Sequence, residues 1–214
     1  MIQPRRVRCA SYGAAMTISH EDVQELKAHP NDLILCTDGR HRPRWASRGA
    51  ASWKYFDQEW GRPPGTDSQW CEALALTVFQ LGLTWHAVVG KREALRAAFG
   101  GFHVEHVALL GAVEVERLVG DPDIIRNRRK IEAVITNARA QAALTKPLGQ
   151  ILSRYGSSGL VADDGTIPTF TPASEELSRE LKGLGFTHIG PTAAFSFMQA
   201  TGVIPIRAHY DLNR

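Results

Sequence analysis

Between residues 66 and 144 the sequence repeats one pattern, in which apolar residues recur three or four positions apart within short segments. This spacing is typical of amphipathic helices and is the strongest constraint on the fold. The first segment is DSQWCEALALTVFQLG, and its apolar face consists of Trp70, Leu74, Val78 and Leu81. The segments that follow are WHAVVGKREALRAAFGG, VEHVALLG, AVEVERLVG and RRKIEAVITNARAQAAL. Breaks at Gly, Pro or Asp separate them and no convincing strand pair is present, so we predict an all-α fold.

The turns between these segments carry helix-ending and helix-starting signals. Gly82 is placed to close the last turn of the first helix, and Thr84 is placed to cap the next one. In that second helix Trp85, Val88, Val89 and Leu95 form the apolar stripe, whereas the charged run Lys91–Glu93 is predicted to face outward.

Residues 1–50 differ from this pattern and are interpreted as an N-terminal extension. Ser19, with Asp22 three residues later, resembles a capping box that begins one short helix, and the Arg-rich segment GRHRPRWASRG follows. Residues 51–214 then constitute the helical domain. A chain of 214 residues with 43% hydrophobic content is long enough to bury one sizeable core.

Charge and cysteine content narrow the setting. The formal charge of +3 and pI of about 8.9 permit contact with phosphates without requiring it. Cys9, Cys36 and Cys71 form no CxxC pair, which favours a reducing compartment. No apolar run reaches the roughly 18 residues of a membrane span, and MIQPRRVRC lacks a secretory h-region. We therefore expect a cytoplasmic protein without membrane contact.

The C-terminal third contains a loop followed by a helix pair. Residues 146–173 show no sustained period and are predicted to be a long connecting loop. The segment SEELSRELKGLGFTHIGPTAAFSFMQATG predicts two helices, with Ser174 as the first N-cap and GFTHIGP as the turn. Gly185 and Gly190 bracket this turn, and N–H groups near Gly190 and Thr192 can point at a phosphate. The element resembles a helix-hairpin-helix motif; the alternative is an ordinary helix pair with glycines at its turn.

Four further blocks of the sequence belong together, namely YFDQEWG at 55–61, GLTW at 82–85 with KRE following, DPDIIRNRRKIEAVITNAR at 121–139 and GFTHIGPTAAFSFMQATG. Together they resemble the DNA 3-methyladenine glycosylase I family. The blocks occur in the family's order over roughly residues 50–204. The resemblance implies a helix-hairpin-helix DNA glycosylase that flips an alkylated purine from double-stranded DNA and hydrolyses its N-glycosidic bond. It implies no lyase step and no cofactor, and we expect a monomer.

The resemblance also implies an aromatic base pocket formed by Tyr55, Trp60 and Trp85. A stacked base contributes about 1–3 kcal/mol in nucleic-acid complexes, and a cationic base is additionally attracted to a π face. The alternative is that these rings simply fill the core.

One position departs from the family's site. The base-recognising glutamate lies eight residues before the tryptophan of its GLSW block, and that position here is Thr77, whose hydroxyl is an uncharged candidate for base contact. Glu72 lies about 500° around the helix from Thr77 and is discounted as a replacement. Glu59 is expected to pair with an arginine or with the backbone. Asp211 follows Gly190 by 21 residues, a spacing that resembles the catalytic aspartate of other helix-hairpin-helix glycosylases; a surface residue on the C-terminal tail is the alternative.

The family's zinc ligands are also replaced. The histidine after the pocket tyrosine is Phe56 here, and the C-terminal histidine and cysteine fall near Arg207 and Asp211, which leaves Cys36 as a possible remnant. Because a structural zinc site uses four nitrogen or sulfur ligands, we predict that no metal is bound.

Basic residues before one helix are candidates for the DNA backbone, since arginine pairs well with phosphate. They are Arg126, Arg128, Arg129 and Lys130, and a solvated helix start is the alternative. Two functions follow from the sequence. The first is a monofunctional glycosylase for alkylated purines; the second is a catalytically impaired or specificity-shifted relative that binds damaged DNA.

Overall fold

The computed structural model describes residues 33–156 and 167–205. Its strands are β1 (Leu33–Leu35) and β2 (His41–Pro43). Its helices are α1 (Ala50–Gln58), α2 (Asp67–Gln80), α3 (Trp85–Gly90), α4 (Arg92–Ala98), α5 (Val104–Leu109), α6 (Ala112–Gly120), α7 (Arg128–Ala142), α8 (Leu148–Leu152), α9 (Pro172–Gly183) and α10 (Pro191–Ala200). Short 3-10 turns follow α4 at Gly100–Phe102 and α8 at Ser153–Tyr155. The predicted all-α class is confirmed, with one small hairpin added to it.

Helix α2 lies at the centre of the core and packs against α3, α7 and α10. Val78 and Phe79 on this helix are completely buried, and Trp70 and Leu74 are nearly so. The side chain of Thr66 caps the helix by accepting the N–H of Gln69, and Gly82 adopts a positive φ of 74° just after its end. Thr84 caps α3 as predicted, accepting the N–H of Ala87.

The predicted second helix is divided at Lys91, which ends α3 and begins α4. The division turns Arg92 inward, and only 7% of it remains exposed, so the prediction that this residue faces solvent is wrong. Two buried or partly buried carboxylates make this burial possible by pairing with it, as described below.

The predicted loop 146–173 contains α8, a 3-10 turn and the beginning of α9. The N-cap of α9 is Thr171 rather than Ser174. Ser174 occupies the third helical position and forms a reciprocal capping box with Thr171. The Ser174 hydroxyl accepts the N–H of Thr171, and the Thr171 hydroxyl accepts the N–H of Ser174.

The described part of the N-terminal extension packs onto the helical domain. Strands β1 and β2 pair antiparallel, a pairing that the sequence did not reveal because each strand has only three residues. Arg42 on β2 is 1% exposed and donates hydrogen bonds to Asp38 and to Asp57 of α1, which joins the hairpin to the domain. The predicted helix at Ser19 lies outside the described residues. No helix in the described ranges has both the length and the apolar character needed to cross a membrane.

Candidate active site

Five aromatic side chains meet in one group, and they come from α1, the start of α3 and the loops on either side of α1. We call this group the aromatic cluster, and its members are Trp45, Tyr55, Phe56, Trp60 and Trp85. Tyr55 and Trp85 are stacked, with ring centroids 5.8 Å apart and planes inclined by 29°. Phe56 and Trp60 stack similarly at 5.5 Å. The structure therefore brings the three predicted pocket aromatics into one cluster.

Trp45 contacts the other four rings, at centroid distances from 5.4 to 6.4 Å. The sequence analysis missed it because residue 45 fell within the segment assigned to the extension. A tryptophan beside Arg-rich polar residues carries no periodicity, so the only available signal was the unusual presence of a large aromatic residue in a polar loop.

The cluster is closed to a base in this arrangement. A base sandwiched between Tyr55 and Trp85 would need the rings to be roughly 7 Å or more apart, because each aromatic stack requires about 3.5–4 Å between carbon atoms. Tyr55 and Trp60 are 5% and 4% exposed, whereas Trp85 is half-buried. Trp85 is thus the member of the stacked pair that is more available to an incoming base, and opening the stack would expose Tyr55.

A cleft of about 210 Å³ borders the cluster at Tyr55. Its polar lining comes from the end of α1, the loop after it, α2 and α4. Glu59, Glu72, Arg92, Arg62 and Gln69 contribute these polar side chains, while Ala73 and Leu76 supply an apolar wall. The cleft therefore combines an aromatic edge with fixed charges.

An ion-pair network built on Arg92 fixes the charges of the cleft. The guanidinium donates to both carboxylate oxygens of Glu59, and its Nε donates to Glu72 at 2.6 Å. Arg96 donates two further hydrogen bonds to Glu72, at 2.7 and 3.0 Å. The Arg92 guanidinium carbon also lies 5.1 Å from the Tyr55 ring centroid, within cation–π range.

These contacts set the protonation states. Burial by itself would raise the pKa of Glu59, but pairing with Arg92 outweighs burial and lowers it. Burial would likewise lower the pKa of Arg92, yet its hydrogen bonds to Glu59 and Glu72 raise it. Burial raises the pKa of Tyr55, with Arg92 opposing the shift. Glu59 is consequently an ionised, paired carboxylate, as the sequence analysis expected.

Glu72 and Thr77 lie in different environments, as their spacing on α2 predicts. Glu72 lines the cleft, but Arg92 and Arg96 pair with its carboxylate, so it is not free to replace the family's glutamate. Thr77 was the candidate for base contact, but it is completely buried, does not line the cleft, and donates its hydroxyl to the carbonyl of Ala73 at 2.9 Å. This correction has a helical cause, since a threonine inside a helix readily bonds the carbonyl four residues earlier.

Phe56 occupies the position that corresponds to a zinc ligand of the family, and its side chain is purely apolar. Phe56 is 3% exposed, stacks on Trp60 and meets Trp45 edge-on, so it offers no ligand atom. Cys36 lies in the small hairpin, where its thiol approaches the carbonyls of Ile34 and Ser47. Among the described residues no group of three or more candidate ligands occurs. The described residues therefore do not supply a zinc site, and Arg207 and Asp211 lie outside the described ranges.

The turn between α9 and α10 presents main-chain donors. Gly185 adopts a φ of 91° and Gly190 caps α10, as their predicted positions require, while Thr192 is exposed in the first turn. In the described ranges no protein acceptor meets the N–H groups of His188, Ile189 and Gly190. The turn therefore has the donors that a phosphate would need.

The four predicted basic contacts separate into different environments. Arg126 and Arg129 are exposed, and Arg128 pairs with Glu116 at 2.6 Å. Lys130 corrects the prediction, because it is 9% exposed and its ammonium donates to the carbonyls of Phe79 and Leu81. Burial lowers its pKa. Lys130 fixes the end of α2 and is not available to a phosphate.

A helical domain with a buried aromatic cluster beside a polar cleft, and with free amides at a helix turn, has the architecture of a helical DNA glycosylase. The comparisons agree with this class. The family model described as methyladenine glycosylase matches residues 45–210, and the chain belongs to this family.

The similar proteins are 3-methyladenine DNA glycosylases. DNA-3-methyladenine glycosylase 1 of Escherichia coli (strain K12) is 38% identical over 167 residues, which cover 75% of this chain and 89% of that protein. The crystal structure of a 3-methyladenine DNA glycosylase I superposes with a TM-score of 0.69 at 36% identity, covering 75% of this chain and 92% of its own. A variant of 3-methyladenine DNA glycosylase I in complex with 3-methyladenine gives a TM-score of 0.67 at 28% identity, with coverages of 75% and 90%.

Proposed function

We propose that the protein is a monofunctional DNA N-glycosylase that flips an alkylated purine such as 3-methyladenine out of double-stranded DNA and hydrolyses its N-glycosidic bond. The observation that carries the proposal is the stacked pair of Tyr55 and Trp85 beside the cleft. This pair lies on a scaffold similar to a protein solved in complex with 3-methyladenine.

The chemistry suits a site in which the described cleft carboxylates, Glu59 and Glu72, are both paired with arginine. Alkylation at N3 makes adenine cationic, so the base is already a good leaving group and benefits most from π faces and hydrogen bonds. Glu59 and Glu72 are held by Arg92, so we assign them to the frame of the cleft, and water attacks C1′ of the sugar. Asp211 is the candidate to stabilise developing positive charge or to orient that water.

DNA is held by the α9–α10 turn, which we propose to be a helix-hairpin-helix motif, with Arg126 and Arg129 as further phosphate contacts. The protein acts as a monomer in the cytoplasm. It uses neither metal nor cofactor, because the bond that breaks is already activated by the lesion.

Excision of the base from methylated DNA tests the proposal. The wild-type protein should release 3-methyladenine, measured as free base by mass spectrometry, and Trp85→Ala should reduce release roughly 5- to 150-fold, because a stacked base contributes about 1–3 kcal/mol. Trp53→Ala is the matched control, since Trp53 lies on α1 next to Arg42 and outside the aromatic cluster. Release of no alkylated base at any enzyme concentration would refute the proposal.

The second candidate function is recognition of damaged DNA without excision. It is favoured by Thr77, which places a buried hydroxyl where the family has a glutamate. This candidate predicts tight binding to lesion-bearing DNA with no release of base. A binding titration run beside the excision assay separates the two functions.

A further inference from the structure

Helix α7 carries three buried polar side chains on one face. Lys130, Asn137 and Gln141 are 9%, 3% and 7% exposed. Asn137 lies seven residues after Lys130 and Gln141 lies eleven after it, so both fall within about 20° of the same direction around a helix. Each side chain bonds a main-chain group of another element, which makes this face a set of fixed attachment points.

Asn137 holds the turn between α9 and α10. Its Nδ2 donates to the carbonyl of Thr187 at 3.2 Å, and its Oδ1 accepts the N–H of the same residue at 2.7 Å. The next residue, His188, has a φ of 55°, which is unusual for a residue with a side chain. The paired hydrogen bonds from Asn137 hold the main chain beside this strained position, immediately before the free N–H groups of 188–190.

Lys130 holds the turn that follows α2. Its ammonium donates to the carbonyl of Phe79 at 2.7 Å and to that of Leu81 at 2.5 Å. These carbonyls are at the C-terminal end of α2, where a cation is favoured by the helix dipole. The turn leads through Gly82 and Thr84 into Trp85, so Lys130 fixes the approach to the more exposed ring of the stacked pair.

We propose that Lys130 and Asn137 are positioning residues, through which α7 sets the distance between the turn that grips the DNA backbone and the turn that carries the base-stacking Trp85. The inference rests on the proposed function. Gln141 occupies the same face but bonds the carbonyl of Asp67, at the opposite end of α2 from Trp85, and so does not hold either turn.

Three substitutions with near-isosteric apolar residues test the proposal, namely Asn137→Leu, Lys130→Met and, as the matched control, Gln141→Met. Dissociation constants are measured for undamaged duplex and for duplex that carries a non-hydrolysable analogue of 3-methyladenine. Asn137→Leu should weaken binding to both DNAs by about tenfold, since phosphate contacts are independent of the lesion. Lys130→Met should leave binding to the undamaged duplex nearly unchanged and reduce the preference for the duplex with the base analogue by about tenfold.

Gln141→Met should bind both DNAs like the wild type. The proposal is overturned if the three variants alter both affinities by the same factor. Hydrogen exchange at the amides of 185–187 provides a readout that needs no DNA and also covers a variant that binds poorly because it is unstable. Exchange there that is faster in Asn137→Leu than in Gln141→Met, with equal exchange at the core amides of α2, supports the proposal; equal rates, or a rise shared by the α2 amides, refute it. If the wild type binds no DNA, the proposed function fails, and the exchange measurement still decides whether Asn137 holds the turn.

Discussion

At the scale of single residues, Arg92 shows how a charge becomes part of the interior. Its side chain is 9% exposed and lies between Glu59 and Glu72. The two terminal nitrogens of the guanidinium donate to the two carboxylate oxygens of Glu59, and Nε donates to Glu72. A lysine could supply the charge but not this planar set of donors. The residue therefore determines the shape of the cleft wall beside Tyr55.

Arg92→Met should destabilise the protein by about 3–5 kcal/mol, because it leaves the buried Glu72 with fewer partners and frees Glu59. The effect depends on pH. The folded-state pKa of Glu59 is lowered by Arg92, so its stabilising contribution is present above its ordinary pKa of 4.5 and is lost as the pH falls through the folded value. The difference in unfolding free energy between wild type and variant should thus be largest near neutral pH and shrink under acid conditions.

Chemical denaturation at several pH values measures this difference. Arg96→Met is the matched control, since Arg96 pairs with the same Glu72 but its side chain is 36% exposed. We expect a smaller loss for the control. Equal losses for the two variants, or a difference that grows on acidification, would contradict the assignment of Arg92 as the centre of the network.

Residue-level reasoning from the sequence predicted part of the candidate site. The motif YFDQEWG and the GLTW block pointed to Tyr55, Trp60 and Trp85, which the structure brings into one cluster, because these positions lie in contiguous segments that resemble a family. Glu72 and Trp45 were not found. Their roles depend on which neighbours approach them in space, and neither helical spacing nor local composition reports that.

At the scale of elements, the return of the chain after α10 depends on a close backbone approach. Gly202 has a φ of 68°, and a Cβ at this position would lie 2.6 Å from the carbonyl oxygen of Gly61. Gly61 in turn donates its N–H to the carbonyl of Ala200. This contact joins the end of α10 to the loop that lines the cleft.

Gly202→Ala should lower the free energy of unfolding by more than about 1 kcal/mol, since both the conformation and the available space exclude a methyl group. Gly183→Ala is the control, because a Cβ at the last residue of α9 meets no atom within 4 Å. The control should be stabilised by about 0.4–1 kcal/mol. Urea unfolding of both variants is the measurement, and a neutral Gly202→Ala would show that the approach to Gly61 is not as close as described.

At the scale of the whole molecule, the core should protect its thiols. Cys71 on α2 is 4% exposed, and burial raises its pKa to about 12. A thiol of ordinary pKa is partly thiolate in mildly alkaline buffer, whereas this one stays protonated and inaccessible.

Alkylation of Cys71 should therefore require opening of the domain. We expect negligible labelling by iodoacetamide in native buffer at about pH 8 and a rate that increases with urea in parallel with unfolding, located by peptide mass spectrometry. The denatured protein provides the reference rate. Rapid labelling of Cys71 under native conditions would mean that α2 is not held in the core as the structure describes.

Much of the architecture was determined by the sequence itself. The period of apolar residues places α2, α5, α6 and α7, and the Thr84 cap and Gly82 mark where two helices meet, because helix formation depends on contacts within a few residues. The break at Lys91 was not predictable, since the two flanking helices share one continuous apolar pattern. Only packing against Glu59 and Glu72 turns Arg92 inward.

The site was decided by tertiary structure. A sequence shows that aromatic and charged residues are present, but burial and pairing arise between segments far apart in the chain, as with Trp45 and Trp85 or Lys130 and Phe79. The same physics overturned the expectation for Thr77, whose hydroxyl is satisfied within its own helix, and placed the carboxylate of Glu72 at the cleft, where two arginines hold it. Local periodicity therefore determines where helices form, and long-range electrostatics and packing determine which of their side chains face the cleft.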